Sequence, residues 1–169
     1  NKAEILSRLT ACQSTLTLND TSVTKFEQNE LINKVFGNSI QSSFKSYDLL
    51  TENGDRLIGC SATNNGYEKK FGCSHKREIY IDKGKNYLKG IDHIFKKKDG
   101  YPVRYAFRFH ISPELTAVKT MSGNGALIQI SKNKSLLFTI KDENLEIEKS
   151  IYLAEKKIID NTCITITGN

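Results

Sequence analysis

His75 and Arg77 lie two residues apart in the stretch 64–94, NNGYEKKFGCSHKREIYIDKGKNYLKGIDHI, the densest run of polar groups in the chain. In an extended segment side chains alternate, so both project from one face together with Ile79 and Ile81. A histidine beside an arginine forms a small cationic pair that fits a carboxylate. That carboxylate can belong to an anionic ligand or to Asp92 on the returning strand, and structural ion pairs are the more common case. Arg104, Arg108 and His110 form a comparable row, alternating with Val103, Tyr105, Phe107, Phe109 and Ile111. One face of that segment is core and the other is cationic. Tyr67 follows Asn64-Asn65-Gly66, beside a turn and outside any alternating run. A tyrosine so placed serves as stacking platform or proton donor for a sugar, or as an anchor for its own loop.

The three histidines, His75, His93 and His110, form no HExxH, HxH or triad signature. His75, Asp92 and His110 on neighbouring strands could gather into a three-ligand zinc site, but histidines in sheets are usually just hydrogen-bonded, so no metal and no cofactor is assigned. Cys12, Cys60, Cys73 and Cys163 show neither CxxC spacing nor the density of a disulfide scaffold. Cys73 precedes His75 by two residues and shares its face, which fits a thiolate–imidazolium pair or, far more commonly, a buried structural cysteine. No residue is assigned a catalytic role.

The elements that must carry these groups are strands. Alternating or apolar segments at 14–18, 31–36, 40–49, 56–62, 74–82, 87–95, 101–111, 126–130, 135–140, 145–153 and 163–167 are separated by turn residues. Asn53-Gly54 takes the positive φ values of a hairpin turn, and Ser112-Pro113 stops the strand before it. Only 2–10 has helical spacing, in Ile5, Leu6 and Leu9. Strands recurring roughly every 8 to 12 residues indicate an all-β fold, a layered antiparallel β-sandwich of many short strands. No Pro/Gly/Ser linker interrupts it, so 1–169 reads as a single domain.

A chain of 169 residues can bury a core without a disulfide or metal staple. Its formal charge of +6 and pI near 9.1 favour anionic partners. The lysines are scattered, and the one tight run, Lys96-Lys97-Lys98, falls in a loop, so nucleic acid is not the expected partner. No apolar run reaches the roughly 18 residues of a membrane span, and no membrane partner is expected. The chain begins at Asn1, without a signal peptide, and reads as a piece of a longer precursor.

Several motifs fall in an order that resembles a known family. They are Arg8-Leu9-Thr10-Ala11-Cys12-Gln13-Ser14-Thr15-Leu16-Thr17-Leu18-Asn19-Asp20-Thr21-Ser22, then Asn65-Gly66-Tyr67, Phe71-Gly72, His75-Lys76-Arg77 and Tyr87-Leu88-Lys89-Gly90-Ile91-Asp92. Phe107-Arg108-Phe109-His110-Ile111-Ser112-Pro113 and Glu148-Lys149-Ser150-Ile151-Tyr152-Leu153 complete the series. Together they resemble the C-terminal domain of the heparinase II/III-like proteins over nearly the whole chain.

The resemblance implies a two-part enzyme, an N-terminal α/α-toroid followed by this sandwich, with the substrate cleft between them. Characterised relatives are polysaccharide lyases that cleave uronic-acid-containing polysaccharides by β-elimination. A tyrosine does acid–base work while histidine or asparagine neutralises the uronate carboxylate, because the adjacent proton is abstractable only when the charge spreading onto that group is stabilised. The toroid that would carry the tyrosine is outside this chain, so the domain alone is expected to be inactive. The family motif usually places a histidine at the position of Gln13, and in some relatives that side chain helps bind zinc; glutamine is a poor zinc ligand. Relatives often show His-Asp where this chain has Asn64-Asn65. Gln13, Tyr67, His75, Arg77, Arg108 and His110 are the positions expected to bind substrate. The expected partners are an acidic polysaccharide and the toroid of the same protein. The expected compartment is the periplasm or cell envelope, with the cytoplasm as alternative. Loss of the imidazoles leaves a second reading open, a non-catalytic carbohydrate-binding or scaffolding sandwich.

Overall fold

The structure, a computed structural model, describes residues 2–24, 40–50, 52, 54, 56–82, 84–97, 102–143, 145–154 and 157–169. The elements run α1 (Lys2–Ser7), a 3-10 turn (Thr10–Cys12), β1 (Leu16–Leu18), β2 (Ser42–Leu50), β3 (Arg56–Asn64), α2 (Glu68–Phe71), β4 (Cys73–Asp82) and β5 (Tyr87–Lys96). They continue with β6 (Tyr105–His110), β7 (Thr116–Lys119), β8 (Gly125–Ser131), β9 (Lys134–Thr139), β10 (Leu145–Ala154) and β11 (Lys157–Gly168). The fold is all-β, and among the described residues every strand pairing is antiparallel, as the alternation predicted.

Chain contacts divide the molecule into two compact units. One comprises Asn1–Phe26 with Pro102–Asn169, and the other Glu27–Tyr101. In the first, a sheet of order β1-β6-β11-β10 and a sheet of order β7-β8-β9 bury one core. Phe107 and Phe109 of β6, Ile164 and Ile166 of β11, and Leu145 and Ile147 of β10 meet Ala126, Ile128 and Phe138 of the second sheet. Leu145 and Ile164 are fully buried, each worth about 1.5–3 kcal/mol of transfer free energy. Because side chains alternate, the same strands turn Arg108 and His110, Cys163, Thr165 and Thr167, and Glu146, Glu148 and Ser150 to the sheet's other face. The register sets Arg108 opposite Thr165, and His110 opposite Cys163, which in turn faces Glu148. The second unit is a meander of order β2-β3-β4-β5, with Arg77 opposite Asp92 and His75 opposite Ile94 and Asn64.

Several boundaries differ from the sequence reading. β6 starts at Tyr105 and not at 101, since Pro102 has no N–H to give a ladder. β11 starts at Lys157, six residues before the predicted 163, because it follows β10 back along its full length. β7 and α2 were not expected, being too short for a periodicity to register. The expected strand at 31–36 lies outside the described residues.

Candidate functional site

The polar face of the first unit's sheet carries two of the expected positions, Arg108 and His110. After β1 the chain reverses through Asn19 (φ 47) and Asp20 (φ 53), with Thr21 N–H donating to the Leu18 carbonyl at 3.0 Å. Two consecutive positive φ values make a type I′ turn, which Asn and Asp tolerate. The Asn19 carboxamide oxygen accepts from Arg104 N–H at 3.0 Å. The turn therefore delivers Asp20 to the two arginines, 3.4 Å from Arg104 Nη2 and 3.9 Å from Arg108 Nη2.

Arg108 is mostly buried, yet its guanidinium lines an open groove of about 470 Å³ with Thr17, Asp20, Arg104, Tyr105, Glu148 and Thr165. Its Nη1 donates to Thr17 Oγ1 at 2.5 Å, and Thr165 Oγ1 donates to Glu148 at 2.8 Å. Asp20 is two-thirds exposed, so its pairing with Arg108 is a surface interaction of at most about 1 kcal/mol. A ligand carboxylate could displace it and take the guanidinium's paired N–H donors. Tyr105 O–H donates to Glu143 at 2.9 Å; burial, then that hydrogen bond, raises its pKa and keeps it a neutral phenol.

His110 is fixed at three points. Its backbone N–H donates to Ser14 Oγ at 2.9 Å, its Nε2 lies 3.1 Å from the Ala11 carbonyl, and its Nδ1 lies 3.2 Å from Ser150 Oγ. A carbonyl only accepts, so Nε2 carries a proton. Gln13 is in the same segment, exposed, with its side-chain amide donating to the Ser7 carbonyl at 2.9 Å. Arg108 N–H also donates to the Thr15 carbonyl at 3.1 Å. The segment 11–17 is thereby bound along β6, and Gln13, Arg108 and His110 share one neighbourhood.

Tyr67, His75 and Arg77 belong to the second unit. His75 Nε2 is 2.7 Å from Asp92 Oδ1, while Arg77 Nε and Nη2 donate to the two Asp92 oxygens at 2.8 and 3.0 Å. Burial opposes ionisation of Asp92, but the hydrogen bonds and charges of His75 and Arg77 outweigh it and hold its pKa below the usual carboxylate range. The ion-pair reading of these residues is the one the geometry carries. Tyr67 is 2% exposed, its ring centroid 5.9 Å from that of Phe71. It offers no ring face to a sugar and acts as the anchor of its loop. Asp92 takes the role the strand spacing offered it, and Arg108 pairs with Asp20 of the β1 turn.

The residues at the position where relatives hold zinc do not fit that metal. Gln13 can offer a metal only its amide oxygen, a poor zinc ligand, both His110 nitrogens have partners, and among the described residues no three His, Cys, Asp or Glu side chains gather as a ligand set. Cys73 is no nucleophile either: it is 1% exposed, its Sγ faces the Phe71 carbonyl, and burial raises its pKa.

Thr17, Asp20, Tyr105, Glu148 and Thr165 around Arg108 were not singled out from sequence. A model of the family Heparinase II/III-like, C-terminal, matches residues 3–168 of the chain. No curated protein and no solved structure matches it.

Proposed function

The chain belongs to the heparinase II/III-like C-terminal family, and from that premise we propose that it is the sandwich portion of a polysaccharide lyase acting on an acidic, uronate-containing polysaccharide by β-elimination. The observation that carries the proposal is Arg108, a mostly buried guanidinium at an open groove, held by Thr17 and only loosely paired with Asp20. In this reading Arg108 binds a uronate carboxylate, Gln13 hydrogen-bonds a sugar hydroxyl, and His110 positions the segment that presents both. Withdrawing charge onto Arg108 stabilises the carbanion that forms when the adjacent proton leaves. The base and acid come from an N-terminal toroid, with which 1–169 acts as one domain of a longer chain. His75 and Arg77 then hold the second unit's sheet together through Asp92.

The reading extends to compartment. A polymer too large to cross a cytoplasmic membrane is met in the periplasm or cell envelope, and that is where we place the protein. The test is a lyase assay of the full-length protein on a panel of acidic glycans, following the unsaturated-uronate chromophore. Release of that product, abolished or sharply reduced in Arg108→Ala, is expected; no release from any acidic glycan overturns the catalytic reading. Gln13 and Asn64, standing where the family motif usually carries histidine, favour a second reading in which the sandwich binds carbohydrate or acts as a scaffold without cleavage. Binding to the same glycans without product would select it.

A further inference from the structure

The second unit holds an aromatic surface outside the Arg108 groove. Tyr47, Gly59, Tyr80 and Lys89 form one cross-strand row over β2, β3, β4 and β5. Glycine at the centre is what lets the tyrosines lie down. A Cβ at Gly59 would sit 2.6 Å from Tyr80 Cδ1 and 2.8 Å from the Ile79 carbonyl oxygen, so the Tyr80 ring occupies the space a side chain would fill. Tyr47 leans the same way, its hydroxyl 2.8 Å from Ser61 Oγ on β3. The two rings are near-parallel, 25° apart with centroids at 6.3 Å, and both are half-buried.

Charge surrounds this platform asymmetrically. Lys45 and Lys89 are exposed on the same face, and Lys76 is half-buried on it. Among the described residues two carboxylates share the face: Glu78 is occupied by Lys76 Nζ at 2.6 Å and His93 Nε2 at 3.2 Å, and the buried Asp82 lies 3.8 Å from Lys85 Nζ. Both carboxylates are thus matched by cations, and the exposed Lys45 and Lys89 give the face its net positive charge beside the two rings.

We propose that Tyr47 and Tyr80, flanked by the exposed Lys45 and Lys89, form a second subsite for an acidic polysaccharide, distinct from the Arg108 groove. Pyranose rings present C–H faces that stack on aromatic rings, while their carboxylates meet the lysines. Rings already lying against the sheet lose little freedom when a sugar covers them. The choice of a glycan as occupant rests on the proposed function; the platform itself rests on Gly59 and the register.

The experiment measures affinity of the intact protein for alginate, polygalacturonate, hyaluronan and heparin by calorimetry, with dextran as neutral control. Tyr47→Ala/Tyr80→Ala is expected to weaken binding of at least one acidic polymer by about tenfold. Tyr47→Phe/Tyr80→Phe keeps the rings and is expected to stay within about twofold of wild type. Should the alanine pair fail to fold, the exposed Lys45→Glu/Lys89→Glu pair reads the same surface and is expected to lose affinity and flatten its salt dependence. A folded Tyr47→Ala/Tyr80→Ala protein that binds like wild type overturns the proposal, as does an unaffected lysine pair. Loss of binding in Arg108→Ala alone leaves the groove reading standing and removes this one. No binding by wild type to any acidic polymer removes both, and a dimer that dissociates in the tyrosine variant assigns the face to a second copy instead.

Discussion

His75 Nε2 and Asp92 Oδ1 sit 2.7 Å apart on the paired strands β4 and β5, and Arg77 closes on the same carboxylate from the next position along the strand face. This triad makes stability depend on pH in one direction. Folded Asp92 gives up its proton more readily than unfolded Asp92, so between the two pKa values the unfolded chain binds more protons. The contribution is full above the ordinary carboxylate value of about 4 and is lost as pH falls through the lower folded value. Asp92→Asn should cost about 2–4 kcal/mol at neutral pH, because the half-buried Arg77 loses its counter-charge and the two hydrogen-bonded groups lose a carboxylate acceptor. It should also flatten the acid limb. Urea denaturation of both proteins across the acid range checks this; a change under about 0.5 kcal/mol at neutral pH would falsify the role given to the triad.

Arg108 separates charge from geometry. Arg108→Lys keeps a cation but not the planar fork that reaches Thr17 and a carboxylate together. Affinity for an acidic oligosaccharide is expected to fall about tenfold or more in both Arg108→Lys and Arg108→Ala. Calorimetry alongside a thermal melt distinguishes a lost contact from a lost fold. A lysine variant that binds like wild type would show that only net charge matters at the groove.

Gly168 tests the groove's wall. A Cβ there would collide with the Tyr105 ring, whose strand is its partner in the sheet. Gly168→Ala should therefore destabilise by about 1–3 kcal/mol and displace Tyr105 from Glu143. Double substitution with Tyr105→Leu should recover part of that loss, since the colliding atoms go. Equal stability of Gly168→Ala and wild type by thermal melt would contradict the close approach.

The thiols should divide by access. Cys73 and Cys163 are 1% and 2% exposed, and burial pushes both thiols up. Cys12 and Cys60 are half-buried. A bulky thiol reagent is expected to label Cys12 and Cys60 first and to reach the other pair only on unfolding, read by mass spectrometry after digestion. Early labelling of Cys73 would place it in an open environment and reopen a reactive role.

Much of this architecture was legible from the chain. Strand positions followed from apolar residues at every second place, and the faces of β4 and β6 followed with them. The pairing of His75 and Arg77 with Asp92 was one of two readings the spacing allowed. Tyr67 beside its turn allowed both a sugar platform and a loop anchor, because sequence reports neighbours along the chain, not burial. Tyr47 and Tyr80 passed unnoticed for the same reason: nothing local announces that they meet over Gly59.

Alternation is a property of consecutive covalent units, so the sequence alone determined a β protein, which side chains share a strand face, and the family those motifs resemble. Partner choice is not local. Thr17 and Arg108 are 91 residues apart, and only strand order and register bring the hydroxyl to the guanidinium. The tertiary structure decided that Asp20 faces Arg108, that Asp92 claims both His75 and Arg77, and that a groove opens on one polar face, because each depends on how distant segments align across a sheet.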